Sequence, residues 1–231
     1  MRNNARNLLL CAMLCTFAAG SLSAAVIACP SSTTLNNLLA FNSAANGCFS
    51  QDKVFFGFNY GSLGPEAPPD SSVTATLIFA TSPGIDIHGW TFAGNWSGNA
   101  GFTLGYSIMV CADVACLANV QAGTAIIGAD AVYAPVSTAP PGDEVVNWSN
   151  GATVTLTNGS PGPLPGNGNI GYNGQGPISV TGIYAGGGSM TSTTFRFFEQ
   201  VPEPTPEPAT MAMMLGGVGL IGVGRLFRKK R

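Results

Sequence analysis

The chain has 231 residues and a mass of 23.5 kDa, enough for one ordinary domain with tails. Only 9% of residues are charged, against roughly 25% in an average soluble protein, and 31 Gly and 16 Pro interrupt regular structure, which excludes coiled coils and helical bundles. The cations are gathered at the ends, so Lys53 and Arg196 alone stand against all eleven acids between them; phosphates would repel that acidic middle, and nucleic acid is excluded as a partner.

Arg2 and Arg6 precede an apolar run at residues 8–19, and small residues follow. This is the order of a secretory signal peptide, with cleavage expected after Ala25 and residues 1–25 removed. A run of twelve residues is short of the ~20 that an uncleaved spanning helix needs. Val26-Ile27-Ala28-Cys29 has the form of a lipoprotein box, but four cysteines remain after cleavage, and an even number in an exported chain favours pairing. Of the three possible pairings, Cys29 with Cys48 and Cys111 with Cys116 are favoured, because both are local and each flanks a compact segment. No CxxC spacing is present and there is one His, so no metal site or cofactor is expected.

Leu35, Leu38, Leu39 and Asn42 have helical spacing behind Ser and Thr caps, which predicts one short helix. Beyond it the sequence alternates with period two. Strands are expected at 54–60, with Val54, Phe56, Phe58 and Tyr60 on one face, and at 73–79, 85–92, 102–110, 124–133, 144–148, 153–157, 178–184 and 191–199. Residues 158–177, dominated by Gly, Pro and Asn, read as a long surface loop inside the domain, disordered rather than functional. Gly186-Gly187-Gly188-Ser189 is expected to fold the last two strands into a hairpin. The fold class is therefore all-β: a disulfide-stapled antiparallel sandwich (or barrel) over residues 26–200 with one short N-terminal helix.

After it comes VPEPTPEPAT, residues 201–210, an extended Pro-rich stalk. Residues 211–227 form a transmembrane span; their first 14 residues would make only ~21 Å of helix, and the full 17 make ~26 Å with Arg225 snorkelling. Arg225, Arg228, Lys229, Lys230 and Arg231 act as the membrane stop, with residues 228–231 cytoplasmic. Gly217 to Gly222 match GxGxxG formally, but inside the span, with no strand before them, and carry no nucleotide site.

Catalytic residues are not found. Asp86 and His88 share a strand face, but a strand-end polar pair is the commoner outcome, and no GxSxG elbow accompanies the only His. Asp143 and Glu144 are adjacent and would point to opposite faces; Asp70, Asp86, Asp113 and Asp130 read as solvated turn residues. Trp90, Trp96 and Trp148 stand near Asn or His as in sugar-binding surfaces, but burial in the core is favoured for side chains of that size.

The tail resembles the PEP-CTERM sorting signal of bacterial surface proteins. Pro206-Glu207-Pro208-Ala209-Thr210, the apolar span and the basic end carry the resemblance, and Pro202-Glu203-Pro204 doubles the motif. Tails of this kind are also labelled an ice-binding protein C-terminal domain; nothing in these residues argues for ice binding. The resemblance implies removal of the tail by an exosortase in a Gram-negative-type envelope rich in exopolysaccharide. Cys29, Gly47-Cys48-Phe49 and the run from Asp52 to Tyr60 are similar to a group of PEP-CTERM exoproteins of unknown activity, which implies a secreted β-rich domain and no catalytic residue. The expected function is a non-enzymatic protein of the cell surface or biofilm matrix, anchored transiently in the inner membrane and then processed. Its expected partners are the exosortase, the membrane and exopolysaccharide. The alternative is a carbohydrate- or calcium-binding sandwich, and behind it a glycoside hydrolase.

Overall fold

In the computed structural model two β-sheets face each other. The model describes residues 26–200 apart from 83, 97–99, 121–122, 136–142, 158–159, 162–173, 175 and 187. The signal peptide, the Pro-Glu-Pro stalk, the span and the basic end all lie outside the described residues, as does most of the 158–177 loop.

The chain runs through β1 (Ile27–Ala28), β2 (Ser32–Thr34), α1 (Leu35–Leu38), β3 (Cys48–Ser50), β4 (Lys53–Ser62), β5 (Thr74–Ser82), β6 (Ile85–Trp96) and β7 (Phe102–Val110). It continues through β8 (Ala125–Pro135), β9 (Glu144–Trp148), β10 (Thr153–Thr157), β11 (Ser160–Pro161), β12 (Ile178–Tyr184) and β13 (Met190–Gln200). The larger sheet has the order β1-β3-β4-β7-β12-β9-β10-β11, and the smaller has β2-β5-β6-β13-β8. Pairing is antiparallel except between β1 and β3.

All nine expected strands form. Those at 102–110, 144–148 and 178–184 have the expected bounds, because their buried positions alternate with few breaks. The predicted helix shrinks to the single turn α1, which ends before Leu39 and Asn42; Thr34 is extended before it and makes no side-chain capping hydrogen bond, and Leu35 and Leu38 are buried. Both local disulfides are present, Cys29–Cys48 and Cys111–Cys116.

Two expectations fail. Residues 185–189 do not close a hairpin. β12 lies in the larger sheet between β7 and β9, while β13 lies in the smaller between β6 and β8. Each strand already has a partner on both edges, so the Gly-rich segment carries the chain from one sheet to the other. In β4 the alternation expected for Val54, Phe56, Phe58 and Tyr60 breaks at a bulge between Phe56 and Asn59. Gly57 takes the left-handed φ of 65° that the bulge requires. Phe55 and Phe58 thereby both enter the core, with Lys53 buried before them, while Phe56 is only partly buried.

The core lies between the sheets. Tyr106 of β7 is its centre, with the rings of Phe55, Phe58, Phe92, Phe195 and Phe197 around it at centroid distances of 5.3–6.3 Å. Burial pushes its hydroxyl well above the usual phenol range, and that hydroxyl donates 2.8 Å across the sandwich to the carbonyl of Phe195. A second, smaller apolar cluster of Val26, Val54, Cys111 and Cys116 lies apart from it, where the Cys111–Cys116 loop packs on the N-terminal segment.

Candidate functional site

The β3–β4 turn is tight. Gln51 takes φ 55°, and the next residue, Asp52, accepts a backbone hydrogen bond from Cys111 at 2.7 Å. The turn aims Asp52 and Lys53 between the sheets instead of into solvent. From the opposite sheet, His88 of β6 and Glu199 of β13 point at the same spot. The four residues are 6%, 0%, 1% and 3% exposed, so the cluster is sealed.

Lys53 Nζ lies 2.7 Å from Asp52 Oδ2 and 2.6 Å from Glu199 Oε2. His88 Nε2 lies 2.9 Å from the same Glu199 oxygen and 4.0 Å from Asp52 Oδ1. The Phe79 ring covers the imidazole with a centroid distance of 5.4 Å, and His88 Nδ1 has no hydrogen-bond partner among the described residues. Burial pushes the Asp52 carboxyl up, and the Lys53 ammonium only partly offsets this. Burial works the same way on Glu199. There, hydrogen bonds from His88 and Lys53 outweigh it and bring the carboxyl down to about 2. The two carboxyls therefore differ in proton affinity although both face Lys53.

Asp52, His88 and Glu199 offer ligand atoms within 4.8 Å of one another, a spacing that suits a metal ion. The ammonium of Lys53 stands between the two carboxylates, in the place a cation would take. The cluster is therefore charge-compensated by its own chain.

The sequence residues weighed for chemistry are thus redistributed. Asp86 and His88 do share a face, but His88 is a buried partner of Glu199 instead of half of a strand-end pair. Asp130 is not a turn residue. It sits within β8 and binds Arg196 through both carboxylate oxygens, at 2.7 and 2.5 Å. Glu144 is fully buried while Asp143 is exposed, which separates that pair as expected. Lys53, Asp52 and Glu199 were missed as a set, because they are far apart in sequence. The available signal was Lys53 itself, one of two cations in the domain, placed directly before an apolar strand. Trp90, Trp96 and Trp148 are 0%, 0% and 3% exposed, too buried to stack on a sugar.

No curated protein matches the sequence. A family model described as the PEP-CTERM protein-sorting motif matches residues 204–231, which covers the second Pro-Glu-Pro, the apolar span and the basic end. Among solved structures, an exo-β-1,3-galactanase from Phanerochaete chrysosporium, in complex with β-1,3-galactotriose, is similar at 13% identity and a TM-score of 0.23, over 74% of this chain and 29% of that one. The CBM22-1 xylan-binding domain of Paenibacillus barcinonensis Xyn10C is similar at 10% identity and a TM-score of 0.22, over 63% of this chain and 87% of that one. The chain carries a PEP-CTERM sorting tail. Such a tail marks export, processing by exosortase and sorting to the cell surface of Gram-negative bacteria.

Proposed function

We propose that this protein is a non-enzymatic component of the cell surface or of the exopolysaccharide matrix. It crosses the inner membrane, folds as a disulfide-stapled sandwich, is held briefly by residues 211–227, and is released when the exosortase cuts near the Pro-Glu-Pro repeats. The observation that carries the reading is the burial of the domain's one convergent acid–base group among the described residues. Asp52, Lys53, His88 and Glu199 meet at hydrogen-bonding distance but are at most 6% exposed, which leaves little of the group for a substrate to touch. A catalytic constellation needs a place for the reacting atom beside its acid and base.

The test uses the processed protein isolated from its host. Incubation with the host exopolysaccharide is expected to leave the polymer length unchanged, and deletion of the gene is expected to weaken biofilm cohesion without altering the polysaccharide's composition. Shortening of the polymer overturns the reading in favour of a glycoside hydrolase. Specific retention on a glycan array, with or without calcium, overturns it in favour of a carbohydrate- or calcium-binding module.

A further inference from the structure

We infer that Lys53 and Glu199 join covalently, through an amide between Lys53 Nζ and the side-chain carboxyl carbon of Glu199. This goes beyond the surface role proposed above and does not depend on it. An amine and a carboxyl oxygen stand 2.6 Å apart, on side chains that are 0% and 4% exposed. They come from opposite sheets and are 146 residues apart in sequence. Each is held from a second side: Asp52 Oδ2 at 2.7 Å from the amine, and His88 Nε2 at 2.9 Å from the carboxyl oxygen. A nucleophile, an electrophile, a proton carrier and an oxyanion donor therefore meet where no side chain is more than 9% exposed. A buried ion pair alone is weak grounds for stability, because desolvation of both charges offsets their attraction. Amide formation needs a neutral amine and a neutral acid, and a proton passed from Lys53 to Glu199 supplies both while removing two buried charges.

The step balances without a co-reactant. Asp52 accepts one proton from the Lys53 ammonium and passes it to Oε1 of Glu199, which leaves a free amine facing a neutral carboxylic acid. The nitrogen lone pair attacks the carboxyl carbon of Glu199, and one C–O electron pair moves onto Oε2, where the His88 Nε2–H donates to the developing charge. Asp52 then relays a second proton from the nitrogen to Oε1. The bond from the carbon to Oε1 breaks, one water leaves, and Asp52 and His88 end as they began. Positioned groups of this kind gain on the order of 10⁵–10⁸ M in effective concentration. Exclusion of water then protects the product from hydrolysis.

Glu199 is the penultimate residue of β13, the strand that leads into the sorting tail. The bond would give that strand a second covalent path to the body of the domain. The experiment is mass spectrometry of the processed wild-type protein, reduced and unfolded, with both ends sequenced. The expected mass is lower than that of the sequence by one water, with a branched peptide holding Lys53 and Glu199 and no trypsin cleavage after Lys53. Lys53→Met and Glu199→Ala are expected to restore the full mass, and Asp52→Ala to slow the loss of water in protein shown by circular dichroism to be folded. The full sequence mass in the wild-type protein, with Lys53 open to trypsin, overturns the inference whatever the variants do. Wild-type rates in folded Asp52→Ala overturn the role given to Asp52.

Discussion

The Thr193 hydroxyl on β13 lies 2.8 and 3.0 Å from the two carboxyl oxygens of Glu144 on β9, so one side chain from each sheet meets inside the sandwich. Glu144 is fully buried, and none of the ion pairs among the described residues includes it. Its carboxyl fits a slot that only glycine leaves open, since a Cβ at Gly182 would run into Glu144 Oε1 and the Phe195 ring. Burial pushes the carboxyl up to about 8, with the Thr193 hydrogen bond pulling weakly the other way. The folded protein then holds a proton here that the unfolded chain releases above its usual value of 4.5. Stability is therefore expected to fall as pH rises from 4.5 to 8, by up to about 1.4 kcal/mol per pH unit, and to level off above that. Urea denaturation across this range, repeated with Glu144→Gln, checks it. The neutral variant should lose the slope and be the more stable protein at pH 9.

The two disulfides are expected to differ in weight. Cys29–Cys48 spans a sequence separation of 19 and Cys111–Cys116 one of 5, which corresponds to ~3 and ~2 kcal/mol on loop-closure entropy. Ala replacement of each pair, followed by equilibrium unfolding, tests the order. No cysteine of the processed protein should accept an alkylating agent without prior reduction.

Trp90 is fully buried and meets the rings of Phe55 and Phe58 edge-on at 6.0 and 5.8 Å. Trp90→Ala is expected to cost about 3–5 kcal/mol, read from the shift in urea midpoint. Tryptophan emission of the native protein should be blue-shifted and poorly quenched by acrylamide. Ready quenching would mean that the indoles reach the surface after all.

The tail gives a further expectation. Alanine in place of Pro202-Glu203-Pro204 and Pro206-Glu207-Pro208 should leave residues 211–231 attached and the protein in the inner membrane. An epitope placed after Arg231 reads this out by fractionation. A surface-exposed wild-type protein that still carries Arg231 would sink sorting by cleavage.

Much of the fold is legible in the sequence because strands here announce themselves one at a time. Phe102, Leu104, Tyr106, Ile108 and Val110 all face the core, and the polar residues between them do not. Which strands pair is another matter. Nothing near Gly186 signals that β12 and β13 part company, because the partners that separate them, β7, β9, β6 and β8, are far away in the chain. The bulge at Gly57 was equally hidden, since Val54, Phe56 and Phe58 are all apolar and either face would serve. The buried cluster was the least legible feature. A lone lysine beside an aspartate reads as a surface pair until a glutamate 146 residues later is folded against it. The sorting tail, by contrast, is a local linear signal, and its match over residues 204–231 depends on no folding at all.

β13 is the last strand among the described residues and an interior strand of its sheet. A chain that emerges N-terminus first therefore presents β6 and β8 with facing edges empty until Gln200 has cleared the translocation pore. The closing strand slots between them only when little more than the tail remains behind. Completion of the fold thus waits for the last residues before the sorting tail. A chain truncated between β8 and β13 would leave the facing edges of β6 and β8 open, an invitation to pair with a neighbouring copy.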